Sequence, residues 1–240
     1  MTDPLTVAGA LNFRDTGGLP ARGGTTRPGV LFRSGNLARV DAAGRETLRR
    51  LGLRRIVDLR DDAEVAWEPT RLADLGHETV RIPLFAGSTA SFFAEDLTLD
   101  DLYRALVDGA GESIVEVVRA VIADQPVLVH CTVGKDRTGV TVALALTAAG
   151  VDEDAVVADY ARTEALLPAQ RNERVLAYLR SLHPEARHLE ELATRSPAPA
   201  MRRVLDDLRA RFGAPVEFLR AHGLGDDEIV ELQRVLIASH

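Results

Sequence analysis

The chain has 240 residues, 46% of them hydrophobic and 27% charged, and its formal net charge is −7. That length fits one domain with a substantial core, and the acidic balance argues against nucleic acid as a partner, because phosphate backbones reward basic surfaces. The single cysteine excludes an intrachain disulfide, and no apolar run reaches the length needed to span a bilayer.

At the N-terminus an acidic residue stands where a signal peptide wants basic ones, so the chain reads as soluble and cytoplasmic, without stable membrane insertion. Val30 to Arg33 and Arg55 to Leu59 are short β-rich runs. Between them Asp41 is set to cap a helix that runs through Leu51 and ends at Gly52. A further strand is expected near Val80, stopped by Pro83. Leu99, Leu102, Tyr103, Leu106 and Val107 fall at helical spacing behind Thr98. Ile114, Val117, Val118, Val121 and Ile122 do the same behind Ser113, which reads with Glu116 as a capping box. Pro126 to His130 is a continuous apolar run of the buried, parallel kind. Thr138 to Ala149 is apolar nearly all round, which predicts a buried central helix ended by Gly150, with Asp152 able to cap the next. Residues 151–240 are helical in pattern, broken at Pro168, Pro184, Pro197 and Gly213. The expected class is α/β: a mainly parallel central sheet flanked by helices, with a helical C-terminal third, in a single domain over 1–240.

The chemistry concentrates in Pro126 to Gly139, a strand, a tight turn and a helix. Ligand sites in open parallel sheets lie beyond the carboxyl ends of the strands. Backbone N–H groups of such a turn, with the positive end of the helix, cradle a tetrahedral anion. The same field favours the thiolate of a cysteine at the head of the turn, and Cys131 stands there. Arg137, six positions on, can fold back and grip two anion oxygens, which Lys cannot do bidentately. Of the 29 Lys and Arg residues only Lys135 is a lysine, and it sits in this loop. The expected reaction is in-line attack by Cys131 on phosphorus, followed by hydrolysis of the phosphocysteine. Thr132, Val133, Gly134, Lys135, Asp136, Arg137 and Thr138 make the phosphate-binding turn, Thr138 donating its hydroxyl to the departing thiolate. His130 orients the loop. No cofactor and no metal is needed, and the remaining histidines lack ligand spacing.

His130 to Gly139, HCTVGKDRTG, resembles the C-x5-R-[ST] signature loop of the protein tyrosine phosphatase superfamily, and with Lys135 and Asp136 it is most similar to the bacterial tyrosine-protein phosphatase B type. LNFRDTGGLP (Leu11 to Pro20), LFRSGNL (Leu31 to Leu37), IVDLR (Ile56 to Arg60) and VVADY (Val156 to Tyr160) resemble that family's segments in its order. The resemblance implies hydrolysis of phosphotyrosine, with phosphoserine, phosphothreonine and phosphoinositides as further substrates and inorganic phosphate or a similar anion held in the loop. Superfamily members that act on phosphoinositides also carry a lysine at the Lys135 position, which implies a role with polyanionic head groups. Asn12, Arg14, Asp15, Arg33 and Ser34 match family segments and are expected to tie the N-terminus to the core. A lid is expected at about 86–108, where Tyr103 and the Phe92–Phe93 pair could touch substrate.

One departure concerns the general acid that protonates the leaving group. In the family it follows the strand equivalent to VRIPL, but here no acid appears until Glu95 and Asp96. Asp136 is favoured for its place beside the phosphate, with Asp58 and Asp96 as alternatives. That gap keeps a non-catalytic phosphate-binding protein open as a rival. A sulfurtransferase fits less well with the trailing Arg137 and Thr138. A nucleotide-binding loop is rejected because Val129 and Asp136 occupy places that need Gly and Ser or Thr. Reversible oxidation of Cys131 would need an external thiol or a backbone sulfenamide, since no second cysteine exists.

Overall fold

Short apolar strands separated by amphipathic helices bury both faces of a sheet only in a layered α/β arrangement. The computed structural model describes residues 5–84 and 96–239. Its strands are β1 (Arg14–Asp15), β2 (Pro20–Ala21), β3 (Gly24–Thr26), β4 (Leu31–Ser34), β5 (Arg55–Asp58), β6 (Glu78–Arg81), β7 (Val127–His130) and β8 (Ile237–Ser239). Its helices are α1 (Ala42–Leu51), α2 (Asp62–Trp67), α3 (Leu99–Gly109), α4 (Gly111–Ala123), α5 (Asp136–Ala148), α6 (Glu153–Leu166), α7 (Ala169–Leu182), α8 (Leu189–Thr194), α9 (Ala198–Phe212), α10 (Pro215–Ala221) and α11 (Asp226–Leu236).

The main sheet runs β1-β4-β7-β5-β6, parallel except for the antiparallel edge strand β1. Register explains the two cores on the faces of the sheet, because successive side chains point to opposite faces. Phe32, Leu128 and Ile56 are cross-strand neighbours and join Val7, Leu37 and Leu48 in one cluster. Arg33, Val129 and Val57 are the next row; Val129 and Val57 belong to the larger cluster with α3, α4, α5 and the C-terminal helices. Helix α5 is buried nearly all round, as its sequence predicts. The register also brings Ser34, His130 and Asp58 level at the carboxyl edge of the parallel strands, which is where the loop after β7 begins.

The local signals mostly act as expected. The Asp41 side chain accepts from the Gly44 N–H at 2.8 Å, and Gly52 closes α1 in the left-handed region. Thr98 and Asp101 form a capping box on α3. Ser113 does not start a helix: α4 already begins at Gly111, because Ala110 ends α3 and opens α4 in one residue, leaving no turn for a cap. Residues 99–108 of the expected lid form α3, with Leu99, Tyr103 and Leu106 buried in the core, while 86–95 lie outside the described residues. A second small sheet, β2-β3-β8, joins the N-terminal hairpin to the end of the chain. No helix among the described residues is long and apolar enough to cross a membrane.

Candidate active site

Strand β7 delivers the chain to the sheet edge, and five residues, Cys131 to Lys135, turn it into α5. The turn depends on Gly134, which sits at φ +74°, a conformation that costs L side chains energy; a Cβ there would come within 2.3 Å of the Ser34 carbonyl group. Its N–H donates to Cys131 Sγ at 3.2 Å. The segment after β4 passes tightly beside the turn: the Asn36 N–H donates to the Thr132 carbonyl at 3.0 Å, and a Cβ on Gly35 would lie 3.0 Å from the Val133 carbonyl. Helix α5 starts at Asp136, two residues earlier than predicted, so Asp136, Arg137 and Thr138 occupy its first turn, at the positive end of its dipole.

On the open side of the loop, Arg137 meets Glu64 of α2. Arg137 Nη1 and Nη2 each donate to one Glu64 oxygen at 2.6 Å, a bidentate pair that fixes the guanidinium plane. The Thr132 hydroxyl also donates to Glu64. Burial opposes the Arg137 charge, but the Glu64 hydrogen bonds and the neighbouring Cys131 sulfur outweigh it and hold the group above its ordinary value. Burial likewise pushes the Glu64 carboxyl up, and Arg137 and Thr132 bring it below its usual range. Glu64 borders the site and is missing from the sequence reading. Its local signal, the capping box with Asp61 that the structure contains, explains it fully as a helix start.

Asp136 collects two donors on Oδ1: Lys135 Nζ at 2.7 Å and the Tyr103 hydroxyl at 2.9 Å. The Tyr103 and Tyr160 hydroxyls are 2.6 Å apart. Burial, then the Asp136 charge, raises the Tyr103 phenol well above its ordinary value, so it remains a neutral donor. Tyr103 is fully buried and supports Asp136 rather than reaching out to substrate. Lys135 is only 1% exposed. Its ammonium is paired with Asp136, and the residue lines the same cavity as Cys131.

Behind the loop lies a buried charge network. Asp159 of α6 accepts from Arg14 Nε and from Arg33 Nη1, each at 2.8 Å. Arg33 Nη2 and Asn12 Nδ2 both donate to the Gly134 carbonyl, at 3.0 and 2.8 Å. Burial and the like charge of Arg33 lower Arg14 to about 10, against the pull of Asp159. Burial raises the Asp159 carboxyl, yet Arg33 and Arg14 leave it below its usual range. Asp15 accepts from the Gly17 and Gly29 N–H groups, and the Ser34 hydroxyl donates to the Gly35 carbonyl. These N-terminal residues thus tie that segment to the loop as well as to the core.

Cys131, Thr132, Val133, Lys135, Asp136 and Arg137 line one cavity of about 490 Å³, together with Glu64 and with side chains of α7 and α8. His130 and Thr138 lie beneath it, fully buried. His130 Nδ1 is 3.3 Å from the Cys131 carbonyl oxygen, and burial pulls the ring's pKa down despite Asp58. The Thr138 hydroxyl has no hydrogen-bond partner among the described residues. The other two acids stand apart. Asp58 is paired with Arg60 Nη2 at 2.7 Å, and Asp96 accepts from the Arg187 and His188 N–H groups. Neither borders the cavity. Glu95 and the Phe92–Phe93 pair lie outside the described residues.

Residues 5–238 match a family model described as the tyrosine phosphatase family. Over 198 residues the chain is 38% identical to the triple specificity protein phosphatase PtpB of Mycobacterium tuberculosis, covering 69% of this chain and 71% of that one. It is 30% identical over 232 residues to a tyrosine-protein phosphatase of Nostoc commune, covering 89% and 76%. The solved structure of P. aeruginosa TpbA is similar at 20% identity and a TM-score of 0.40, over 71% of this chain and 84% of that one.

Proposed function

The chain belongs to the tyrosine phosphatase family and is a cysteine-dependent phosphatase, and from that premise we propose that Cys131 is its nucleophile, Arg137 its anion clamp and Asp136 its general acid. The Cys131 sulfur attacks phosphorus in line, forming an S–P bond as the P–O bond to the leaving group breaks. Asp136, which must first take up a proton from solvent, gives it to the departing oxygen. Water then attacks the phosphocysteine, Asp136 takes the water's proton, and inorganic phosphate leaves. The Thr138 hydroxyl, buried without a partner among the described residues, donates to the sulfur as it departs. Arg137 holds equatorial oxygens while Glu64 fixes its plane, so catalysis rests on positioning and charge stabilisation.

The observation that carries this reading is the shared cavity: nucleophile, clamp and acid all border it, beside an arginine already oriented by a carboxylate. Lys135 and Tyr103 serve Asp136 by holding one of its oxygens, which leaves the other for the leaving group. We assign phosphotyrosine as the first substrate, with phosphoserine, phosphothreonine and phosphoinositides accepted beside it. The triple specificity in the name of the M. tuberculosis relative supports that breadth. Hydrolysis of an aryl phosphate by the wild type, abolished in Cys131→Ser, is the expected result. A wild type that binds phosphate and never turns over would make the protein a phosphate-binding module instead.

A further inference from the structure

Buried arginines around the loop are matched to carboxylates: Arg14 and Arg33 to Asp159, Arg60 to Asp58, Arg137 to Glu64. Arg171 of α7 is an exception. It is half-buried, and its guanidinium donates to Asn172 Oδ1 at 3.0 Å and to the Ala193 carbonyl at 3.3 Å, with no carboxylate paired to it among the described residues. Burial pulls its pKa down, and the Asp136 charge only partly restores it. A cation removed from water without a counter-charge is costly, and a ligand anion would relieve that cost.

Arg171 also stands where such an anion would arrive. It borders the 490 Å³ cavity that contains Cys131, and equally an adjoining cavity of about 580 Å³ that reaches Arg174 on the next turn of α7. Among the described residues, the Arg174 Nε donates only to the Gln170 carbonyl, at 3.3 Å. The acid of the second cavity, Glu68, is already paired with Arg39 and Asn36. Lys135 and Arg137 already have carboxylate partners, Asp136 and Glu64. Among the described residues, Arg171 is therefore the cation in the catalytic cavity's wall that has no paired carboxylate.

We propose that Arg171, assisted by Arg174, binds a second phosphate carried on the same small molecule as the scissile one, so that the enzyme prefers multiply phosphorylated ring head groups to monophosphates. The cavity volumes are of small-molecule size, and Arg171 shares one of them with the nucleophile, which suits two phosphates on one ring better than two on a peptide. This rests on the phosphatase reading above and gives it a substrate class.

The test compares kcat/KM for water-soluble, short-chain phosphatidylinositol mono- and bisphosphates, with an aryl phosphate as reference. In the wild type the bisphosphate is the better substrate. In Arg171→Gln the ratio of bisphosphate to monophosphate falls about tenfold, mainly through KM, as loss of one charge-assisted contact implies. Arg174→Gln lowers it about threefold by the same rule, and Arg171→Lys recovers part of the loss. Equal losses on both lipids in Arg171→Gln overturn the inference, as does a ratio lost only for a doubly phosphorylated peptide. Independently of any variant, free inositol bisphosphate inhibits aryl phosphate hydrolysis by the wild type at least ~10-fold more strongly than the monophosphate. Equal inhibition sinks the proposal even if Arg171→Gln does not fold. An aryl phosphate left intact by the wild type would instead remove the phosphatase reading beneath it.

Discussion

The two sides of the loop after β7 are built on opposite terms. Behind it, Asp159 neutralises Arg14 and Arg33, and Asn12 and Arg33 close on the Gly134 carbonyl, all shut away from water. In front, Glu64, Arg137, Lys135 and Asp136 are paired but border a cavity. The back has no slack, since removing one partner strands a buried charge. The front has exchangeable partners, which is what a site needs if an arriving anion is to take a share of them. Shape is held on one side and reactivity on the other.

That division can be broken in four ways. The largest expected effect is on the sealed side: Asp159→Asn leaves two buried arginines short of a counter-charge and lowers stability by about 3–5 kcal/mol, read from the urea midpoint. A cost under ~1 kcal/mol, typical of an exposed pair, would mean the back does not hold the loop. On the open side, Asp136→Asn slows hydrolysis of poor leaving groups by about 10²–10⁴ and flattens the pH–rate profile, with little change in stability. If Asp96→Asn does this and Asp136→Asn does not, the acid has been misassigned. Glu64→Gln comes next. It keeps the shape but loosens Arg137, lowering kcat/KM about tenfold for the loss of one charge-assisted contact, and denaturation should show a smaller change than in Asp159→Asn.

Acid acts on both sides and has the gentlest effect. Asp159, Asp58 and Glu64 sit below their ordinary values of 3.8, 3.8 and 4.5. The stability they contribute is therefore present above those values and is lost as pH falls through them toward the lower folded ones. Buried His130 is shifted down from 6.5, so the unfolded chain takes up its proton first and stability begins to fall below that pH. Urea midpoints measured from pH 7 to 3 should decline in those two stages. Asp159→Asn should flatten the later stage, and a wild-type curve level down to pH 4 would contradict the His130 shift.

The elements legible in the sequence are those whose signals are local. Asp41, Gly52 and Thr98 act within a turn of their own position, and the apolar run of β7 is buried by its composition alone. The loop from Cys131 to Thr138 is legible for a different reason: a cradle for an anion needs particular residue types at fixed spacing. What escaped depends on distant partners. Glu64 completes a capping box by sequence and meets Arg137 only through the fold. Arg14 and Arg33 become a network only once Asp159 of α6 is beside them. Strands β2, β3 and β8, of two or three residues, are too short for periodicity to register. Ser113 shows the opposite failure, a valid local motif overruled because two helices share Ala110.

The Gly134 carbonyl, with its donors from Asn12 and Arg33, belongs to the same peptide unit as the Lys135 N–H. Donors that draw electron density toward that oxygen leave the amide proton more positive, because hydrogen bonds in series polarise one another. The sealed network therefore does more than brace the backbone. It tunes the donor strength of a loop amide by induction through one conjugated plane, so two side chains outside the cavity's lining set the polarity of an N–H in the turn between Cys131 and Arg137.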